Sequence, residues 1–212
     1  MSYRLASLLL SHDLEETAIN DAPRNKAVSA ANPDWTREHR SWCEWDPGKS
    51  LIHSVRHYQK WKGRWGSLGR LVRAWYTLKN RFWGVMCGSH LPVSVKLGGG
   101  LIMPHTQGVI IHADAALGPN CLIFHQVTIG EGGPIPGVPV LGGHVDVGAG
   151  AKILGGVVIG DHVKVGANAV VIDDVPSGAT AVGIPARIVN GARPAEIRMP
   201  AVAKELMAGV PA

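Results

Sequence analysis

The sequence is poor in cysteine and has no long apolar run near its amino terminus. It contains only three cysteines, Cys43, Cys87 and Cys121, with an odd total and no C-x-x-C pair. This pattern argues against a disulfide framework and against a cysteine-built zinc site, and it favours a reducing compartment. The run from Leu5 to Leu10 is too short for a signal sequence or a membrane span. We therefore expect a soluble, cytoplasmic protein.

Acidic residues are missing from a long stretch of the chain. The net charge of the 212 residues is +5, yet no aspartate or glutamate occurs between Asp46 and Asp114. All seven tryptophans precede residue 84, and 20 of the 27 glycines lie between Gly98 and Gly191. The chain thus has two unlike halves, and we predict a basic, Trp-rich, mostly helical segment at 1–88, a second domain at 89–190 and a tail at 191–212.

The first half has the apolar spacing of helices. Leucine, valine and aromatic residues recur at steps of three and four, which predicts an amphipathic helix over 67–83. A shorter helix is expected over 47–62, after Asp46, and residues 1–34 are polar and expected to be partly loose. The basic surface of residues 49–81 could contact an anionic lipid or polymer, or it could be a solvated helix face. We find no nucleic-acid-binding motif.

The second half repeats every six residues. Eleven successive steps give branched aliphatic residues: Ile111, Leu117, Ile123, Ile129, Ile135, Leu141, Val147, Ile153, Ile159, Val165 and Val171. The residue two positions earlier is small or of medium size, and a glycine often follows the aliphatic residue, as a sharp corner would require.

This period predicts short strands that meet at corners. Three strands close a triangular coil, and coils stack through parallel ladder hydrogen bonds at a rise of about 4.8 Å, burying an aliphatic column that no single repeat could bury. The expected fold is mainly β, a parallel β-helix, and the spacing alone does not give its hand. Cys121 occupies a small interior position, so we expect it to be structural rather than nucleophilic.

Several runs between Leu91 and Val189 resemble the hexapeptide-repeat acyltransferases, and most closely the serine acetyltransferase branch. The most specific are Val147-Gly-Ala-Gly-Ala-Lys-Ile-Leu-Gly155 and Gly183-Ile-Pro-Ala-Arg187. The resemblance implies a left-handed parallel β-helix. It also implies a homotrimer that binds acetyl-CoA in grooves between neighbouring prisms and transfers the acetyl group to a hydroxyl.

His105 matches the catalytic histidine of this family. A neutral imidazole can take the proton from an alcohol as the oxygen attacks a thioester carbonyl. A six-residue step forward from Leu97 places the next inward-facing residue at 103, whereas a step back from Ile111 places it at 105. Two extra residues therefore interrupt the register here. The interruption could present His105 to a cleft, and the alternative is a histidine that serves only the structure.

Acetyl-CoA contacts are also implied by the resemblance. Gly130, Ala149 and Ala167 match positions where small residues let the cofactor lie against the backbone, although glycine and alanine also suit corners. Lys152 and Arg187 are candidate phosphate ligands, with a solvated surface role as the alternative.

The acceptor side departs from the serine acetyltransferase pattern. Pro104 replaces an aspartate, His90 replaces the carboxylate that would orient His105, and the loop over 130–141 lacks an Arg-His pair. These departures favour a sugar hydroxyl of a polysaccharide or its precursor as the acceptor. His125, in place of a glutamine, and Glu131, in place of a glycine, could bind the acceptor or orient His105.

Other functions remain open. Serine O-acetylation is the alternative within the same chemistry, and a non-catalytic trimeric scaffold is an alternative of another class. A zinc hydratase of the carbonic-anhydrase type uses the same prism, but the chain lacks that family's close histidine pair around His125, and we predict no metal. His144 and His162 are one full coil apart and are expected to stack on the surface.

Overall fold

The computed structural model describes residues 28–41, 45–64 and 66–190. Thirteen short strands, joined by turns, follow one another in this part of the chain from residue 96 onward. They are β1 (Lys96–Leu97), β2 (Ile110–Ile111), β3 (Ala116–Leu117), β4 (Leu122–Ile123), β5 (Thr128–Gly130), β6 (Val140–Leu141), β7 (Asp146–Val147), β8 (Lys152–Leu154), β9 (Val158–Ile159), β10 (Lys164–Val165), β11 (Val170–Val171), β12 (Thr180–Gly183) and β13 (Ala186–Asn190).

The strands form three sheets, one for each side of a triangular prism. Their orders are β1-β3-β6-β9, β2-β5-β8-β11 and β4-β7-β10-β12-β13. The strand pairs within these sheets are parallel up to β12, and β13 closes the last sheet in antiparallel fashion. The predicted parallel β-helix is confirmed.

The ladder register shows where the chain departs from a regular coil. In the regular part Val140 pairs with Val158, eighteen residues on, as three six-residue sides require. Ile102 instead pairs with Leu122, twenty residues on. The two extra residues predicted around His105 are therefore present, between Ile102 and Ile110.

A second insertion corrects the predicted repeat at Ile135. Ala116 pairs with Val140, twenty-four residues on, so one coil carries six additional residues. The chain leaves the prism here as an exposed loop over 131–137, in which the side chain of Ile135 is 37% exposed. Ile129 and Leu141 on either side are fully buried. Ile135 is thus a loop residue, and its prediction as a core residue was wrong.

The prism interior is a continuous aliphatic column. The repeat residues other than Ile135 are buried in one cluster, together with the small residues that precede them. Cys121 is among these, and its thiol donates to the carbonyls of Gly118 and Gly142 at 3.4 Å. Burial raises the pKa of Cys121 to about 12, so the thiol stays protonated at neutral pH. The prediction of a structural cysteine is confirmed.

Two helices precede the prism, as predicted. Helix α1 (Pro47–Trp61) begins where the Asp46 carboxylate accepts from the Lys49 N–H at 2.8 Å, with a proline in the first turn. Helix α2 (Ser67–Cys87) ends at Gly88, which has φ 59°. Helix α1 buries Leu51, Ile52 and Val55 in the same apolar cluster as the first coil of the prism. The helices therefore cover one end of the column.

Polar contacts tie the amino-terminal residues to the prism. A 3₁₀ turn, Trp35–Glu38, precedes α1. Arg56 of α1 donates to both carboxylate oxygens of Glu38, at 3.0 and 2.7 Å, and to the carbonyls of Leu97 and Gly98. Most of the segment 1–34 and the whole tail 191–212 lie outside the described residues.

Within the described ranges, neither helix has the length and apolarity that a transmembrane span requires.

Candidate active site

His105 lies in a cleft between the helices and the prism. The cleft has a volume of about 260 Å³ and is lined by the start of α1, the end of α2 and the irregular segment 103–107. Its lining residues are Asp46, Pro47, Gly48, Met86, Cys87, Met103, Pro104, His105, Thr106 and Gln107. The His105 side chain is exposed rather than pointing into the aliphatic column. The structure therefore has the cleft placement that the interrupted register predicted.

The irregular segment that carries His105 is held in place by hydrogen bonds at its carboxyl end and by α1. The Ser89 hydroxyl donates to the carbonyl of Thr106, and the Gly108 N–H donates to the Gly88 carbonyl at 2.9 Å. Gly48 brings α1 close to this segment, since a Cβ there would lie 2.8 Å from the Thr106 methyl group. The two extra residues thus form a fixed corner beside α1.

His125 lies next to His105, one coil further along the same corner of the prism. The two ring centroids are 6.0 Å apart and the planes are inclined by 73°, an edge-to-face contact. The His125 carbonyl accepts from the Gly150 N–H at 2.9 Å, which fixes the backbone. Its Nδ1 atom is buried and has no hydrogen-bond partner among the described residues. The contact limits the positions that the His105 ring can take on this side.

Cys87 borders the cleft, and its thiol is a candidate nucleophile. Burial is the largest influence on this residue and raises the pKa of its thiol, against a smaller opposite effect of a hydrogen bond with Thr106. A protonated, buried thiol is a poor nucleophile at neutral pH. The chemistry that this cleft can offer is therefore proton transfer by the His105 imidazole.

Ala149 and Ala167 lie at the same corner of the prism as His105 and His125, on the next two coils. We call this series of corner positions the corner column. The Asn168 N–H donates to the Ala149 carbonyl at 2.8 Å, which stacks the two corners. Lys152 reaches the same column, where its ammonium group donates to the carbonyls of Gln126 and Gly150 at 2.6 and 3.1 Å. Three of the predicted cofactor residues thus lie along one edge of the prism, the edge that carries His105.

Two other predicted cofactor residues lie elsewhere. Gly130 ends β5, and a Cβ added there would meet only the Cβ of His112, at an ordinary 3.7 Å. Arg187 is in β13 at the far end of the prism, exposed, and donates to the Ala186 carbonyl at 3.1 Å. It borders a separate cavity of about 250 Å³ that also includes Asp173 and Asp174.

His90 and Glu131 are not placed against His105 within the chain. The His90 backbone pairs with Ile110, and the His90 side chain is exposed. The aromatic ring that contacts His105 in the described part of the chain is that of His125. Glu131 follows the carboxyl end of β5, at a different corner of the prism from His105, and its carboxylate lies 4.0 Å from Nε2 of His112. Neither residue therefore orients His105 in a single chain.

The sequence did not indicate the opposite wall of the cleft. In the sequence Asp46 and Gly48 indicate only the start of a helix, and no pattern marks Cys87 or Thr106 as part of a site. No short-range pattern relates residues 46–48 to residue 105, because their contact depends on how α1 packs on the first coil.

The predicted surface pair of histidines is confirmed. The Nδ1 atoms of His144 and His162 are 2.8 Å apart, at equivalent corners of successive coils. Burial is the main cause of a lowered pKa at His144. In the described ranges we find no cluster of three histidine, cysteine, aspartate or glutamate residues placed to hold a metal ion.

Comparisons with known proteins agree on one kind of relative. No family model matches the chain. A serine acetyltransferase of Synechococcus elongatus is 43% identical over 107 residues, covering 50% of this chain and 44% of that protein. A serine acetyltransferase of Helicobacter pylori is 44% identical over 105 residues, covering 49% of this chain and 61% of that protein. The chain thus spans about half the length of the curated relatives it matches.

Solved structures show the same likeness in three dimensions. Serine acetyltransferase from Vibrio cholerae superposes with a TM-score of 0.59 and 30% identity, covering 70% of this chain and 56% of that one. The enzyme from Brucella abortus in complex with coenzyme A gives a TM-score of 0.60 and 28% identity, over 70% of this chain and 58% of that one. The left-handed β-helix expected from the sequence is thereby confirmed. In sequence and in fold this chain is serine acetyltransferase-like, similar to the hexapeptide-repeat acyltransferases.

Proposed function

We propose that the chain is an acetyl-CoA-dependent O-acetyltransferase, with His105 as the general base and serine as the acceptor. The observation that carries the proposal is the exposed His105 imidazole in a cleft of a prism that resembles serine acetyltransferases. One of those structures contains coenzyme A, the product that acetyl transfer leaves behind.

The chemistry requires one proton transfer and one acyl transfer. The neutral imidazole of His105 takes the proton of the acceptor hydroxyl while the oxygen attacks the thioester carbonyl. The tetrahedral intermediate collapses, the carbon–sulfur bond breaks, and coenzyme A leaves as the thiol after it receives the proton. Backbone N–H groups at a glycine-rich corner would stabilise the oxyanion.

The corner column suggests where acetyl-CoA would lie. Ala149 and Ala167 present little side chain, so an extended pantetheine arm can approach their backbone. Lys152, at the same corner, provides a cation for a phosphate group. In a homotrimer a second prism would supply the other wall of this groove, and in that arrangement Gly130, Glu131 and Arg187 could face the groove of a neighbouring copy.

The acceptor proposed here differs from the sugar that the sequence departures favoured. The relatives and structures reported above are serine acetyltransferases, so the comparisons support serine and do not support a polysaccharide acceptor. Pro104 and the exposed His90 still replace residues of the serine acetyltransferase pattern. Acceptor preference is therefore the property to measure first.

A thioester assay tests the proposal. Release of free thiol from acetyl-CoA is followed with serine and with a panel of hexoses and N-acetylhexosamines. We expect the highest turnover with serine, and a decrease in kcat of about 10²- to 10⁴-fold in His105→Ala. His162→Ala, which removes an exposed histidine at another corner, is the matched control and should keep its turnover.

Coenzyme A binding is measured in the same preparation. Gly130→Ala adds a methyl group that the fold accommodates, so an unchanged melting temperature with weaker binding would support a cofactor contact at this residue.

Unchanged kcat in His105→Ala would refute the general base. Faster turnover of a sugar would refute serine as the acceptor, and no turnover with any acceptor would leave the scaffold alternative.

A further inference from the structure

Helix α2 carries an apolar stripe that is more than half exposed in the described part of the chain. The stripe consists of Leu68, Leu71, Trp75, Leu78 and Phe82, whose side chains are between 54% and 70% exposed. Gly69 and Cys87, on another side of the helix, are buried. The helix thus packs through these small residues and through Trp83, which contacts the core, and it directs the side chains of the stripe outward.

Positive charges flank the apolar stripe on both sides. At about 100° of rotation per residue, Lys79 falls on one flank and Arg70 and Arg81 fall on the other. The sequence holds no carboxylate from residue 47 to residue 113 that could neutralise them. An apolar face bordered by cations is typical of helices that lie in the interface of an anionic membrane.

A cationic cavity lies beside the start of the same helix. Its volume is about 420 Å³, and its described lining residues are Lys62, Arg64, Gly66, Arg70 and Arg73, four cations with no carboxylate. The Arg64 guanidinium lies 4.6 Å from the centre of the Trp61 ring, and Arg73 donates to the Lys62 carbonyl at 3.3 Å. These contacts hold two of the cations at the rim without neutralising them.

We propose that α2 docks on the surface of an anionic phospholipid bilayer. The apolar stripe enters the boundary between headgroups and acyl chains, and Trp75 lies at headgroup level with Lys79 above its ring at 5.5 Å. The cations of the cavity lie on another side of the helix and add to its attraction to an anionic surface. This inference is independent of the proposed enzymatic activity.

Charge decides between a bilayer and a second copy of the chain. If two copies packed stripe against stripe, Arg70, Lys79 and Arg81 would face the same residues of the other copy. Residues 47–113 contain no aspartate or glutamate that could offset that repulsion. An anionic bilayer instead offers an apolar layer to the stripe and negative charge to the cations that flank it.

Vesicle co-sedimentation of the full chain tests the proposal. One set of vesicles is pure phosphatidylcholine, and the other contains about a third phosphatidylserine. We expect binding to the anionic vesicles that weakens steeply as salt is raised to about 1 M. Arg70→Gln should weaken binding about fivefold, and Leu71→Ser about tenfold or more.

Two matched controls remove a cation and an apolar side chain elsewhere in the chain. Lys164→Gln removes an exposed cation from β10, and Ile184→Ser removes an apolar side chain that is 73% exposed near the far end of the prism. Both should bind vesicles as the unmodified chain does. Circular dichroism and gel filtration of every variant report on its fold and assembly.

Three results would overturn the proposal. The first is no association with anionic vesicles, and the second is equal association with neutral ones. The third is a smaller assembly of Leu71→Ser in gel filtration without lipid, which would assign the stripe to a contact between copies of the chain.

Discussion

Substitution of two adjacent isoleucines in β2 tests the orientation of the whole prism wall. Ile111 is fully buried and stacks on Ile129 of the next coil, whereas Ile110 is 49% exposed on the outer face. The two residues share a strand, a residue type and a ladder. Replacing each by alanine in turn therefore isolates the effect of side-chain direction.

The size of the effect follows from burial. Ile111→Ala removes three carbons, at about 0.8 kcal/mol each, and the cavity left in the column raises the loss to about 3–4 kcal/mol in the free energy of unfolding. Ile110→Ala removes the same carbons from a half-exposed position and should lower the free energy of unfolding by less than about 1 kcal/mol.

Equilibrium unfolding in urea at one fixed protein concentration measures both values, because an oligomer's stability depends on concentration. Equal losses for the two variants, or a larger loss for Ile110→Ala, would show that the inward and outward faces of β2 have been assigned incorrectly.

Two further predictions concern histidines. Because the buried Nδ1 of His125 has no partner in the described part of the chain, His125→Phe should leave the melting temperature unchanged or raise it, and a loss of stability would reveal a partner for that nitrogen. Burial, followed by their basic neighbours, lowers the pKa of both His53 and His57, whose Nε2 atoms are 2.9 Å apart. As the pH falls, these two histidines therefore bind protons in the unfolded chain before they do so in the folded chain. The free energy of unfolding should fall as the pH drops below about 6.5. The His53→Gln variant should show a weaker dependence in urea titrations across this range, and an unchanged dependence would contradict the reasoning.

Much of the prism was predictable because its core repeats a single physical requirement. Every side needs one large aliphatic and one small residue pointing inward, and this requirement produces a period that can be counted along the chain. The two-residue interruption before Ile111 was visible for the same reason, and with it the exposed position of His105.

Ile135 shows the limit of this counting. The insertion adds six residues to the coil, the length of one side, so it leaves the phase of every later repeat unchanged. A periodic pattern cannot distinguish an additional side from a loop of the same length, and an isoleucine happens to fall at the expected step.

Contacts between distant segments were beyond the sequence pattern. The spacing of Leu71, Trp75 and Leu78 predicts that they share one face of α2. It does not predict whether another part of the chain packs on that face. The wall of the cleft around Asp46 depends likewise on how α1 seats on the first coil.

The exposed loop over 131–137 makes the prism tolerant of change at one corner. The chain leaves β5 and returns at β6 without altering the strands above or below, so the length of this excursion is independent of the layers that provide stability. New recognition segments can therefore be grafted at this corner while the remaining rungs keep their alignment.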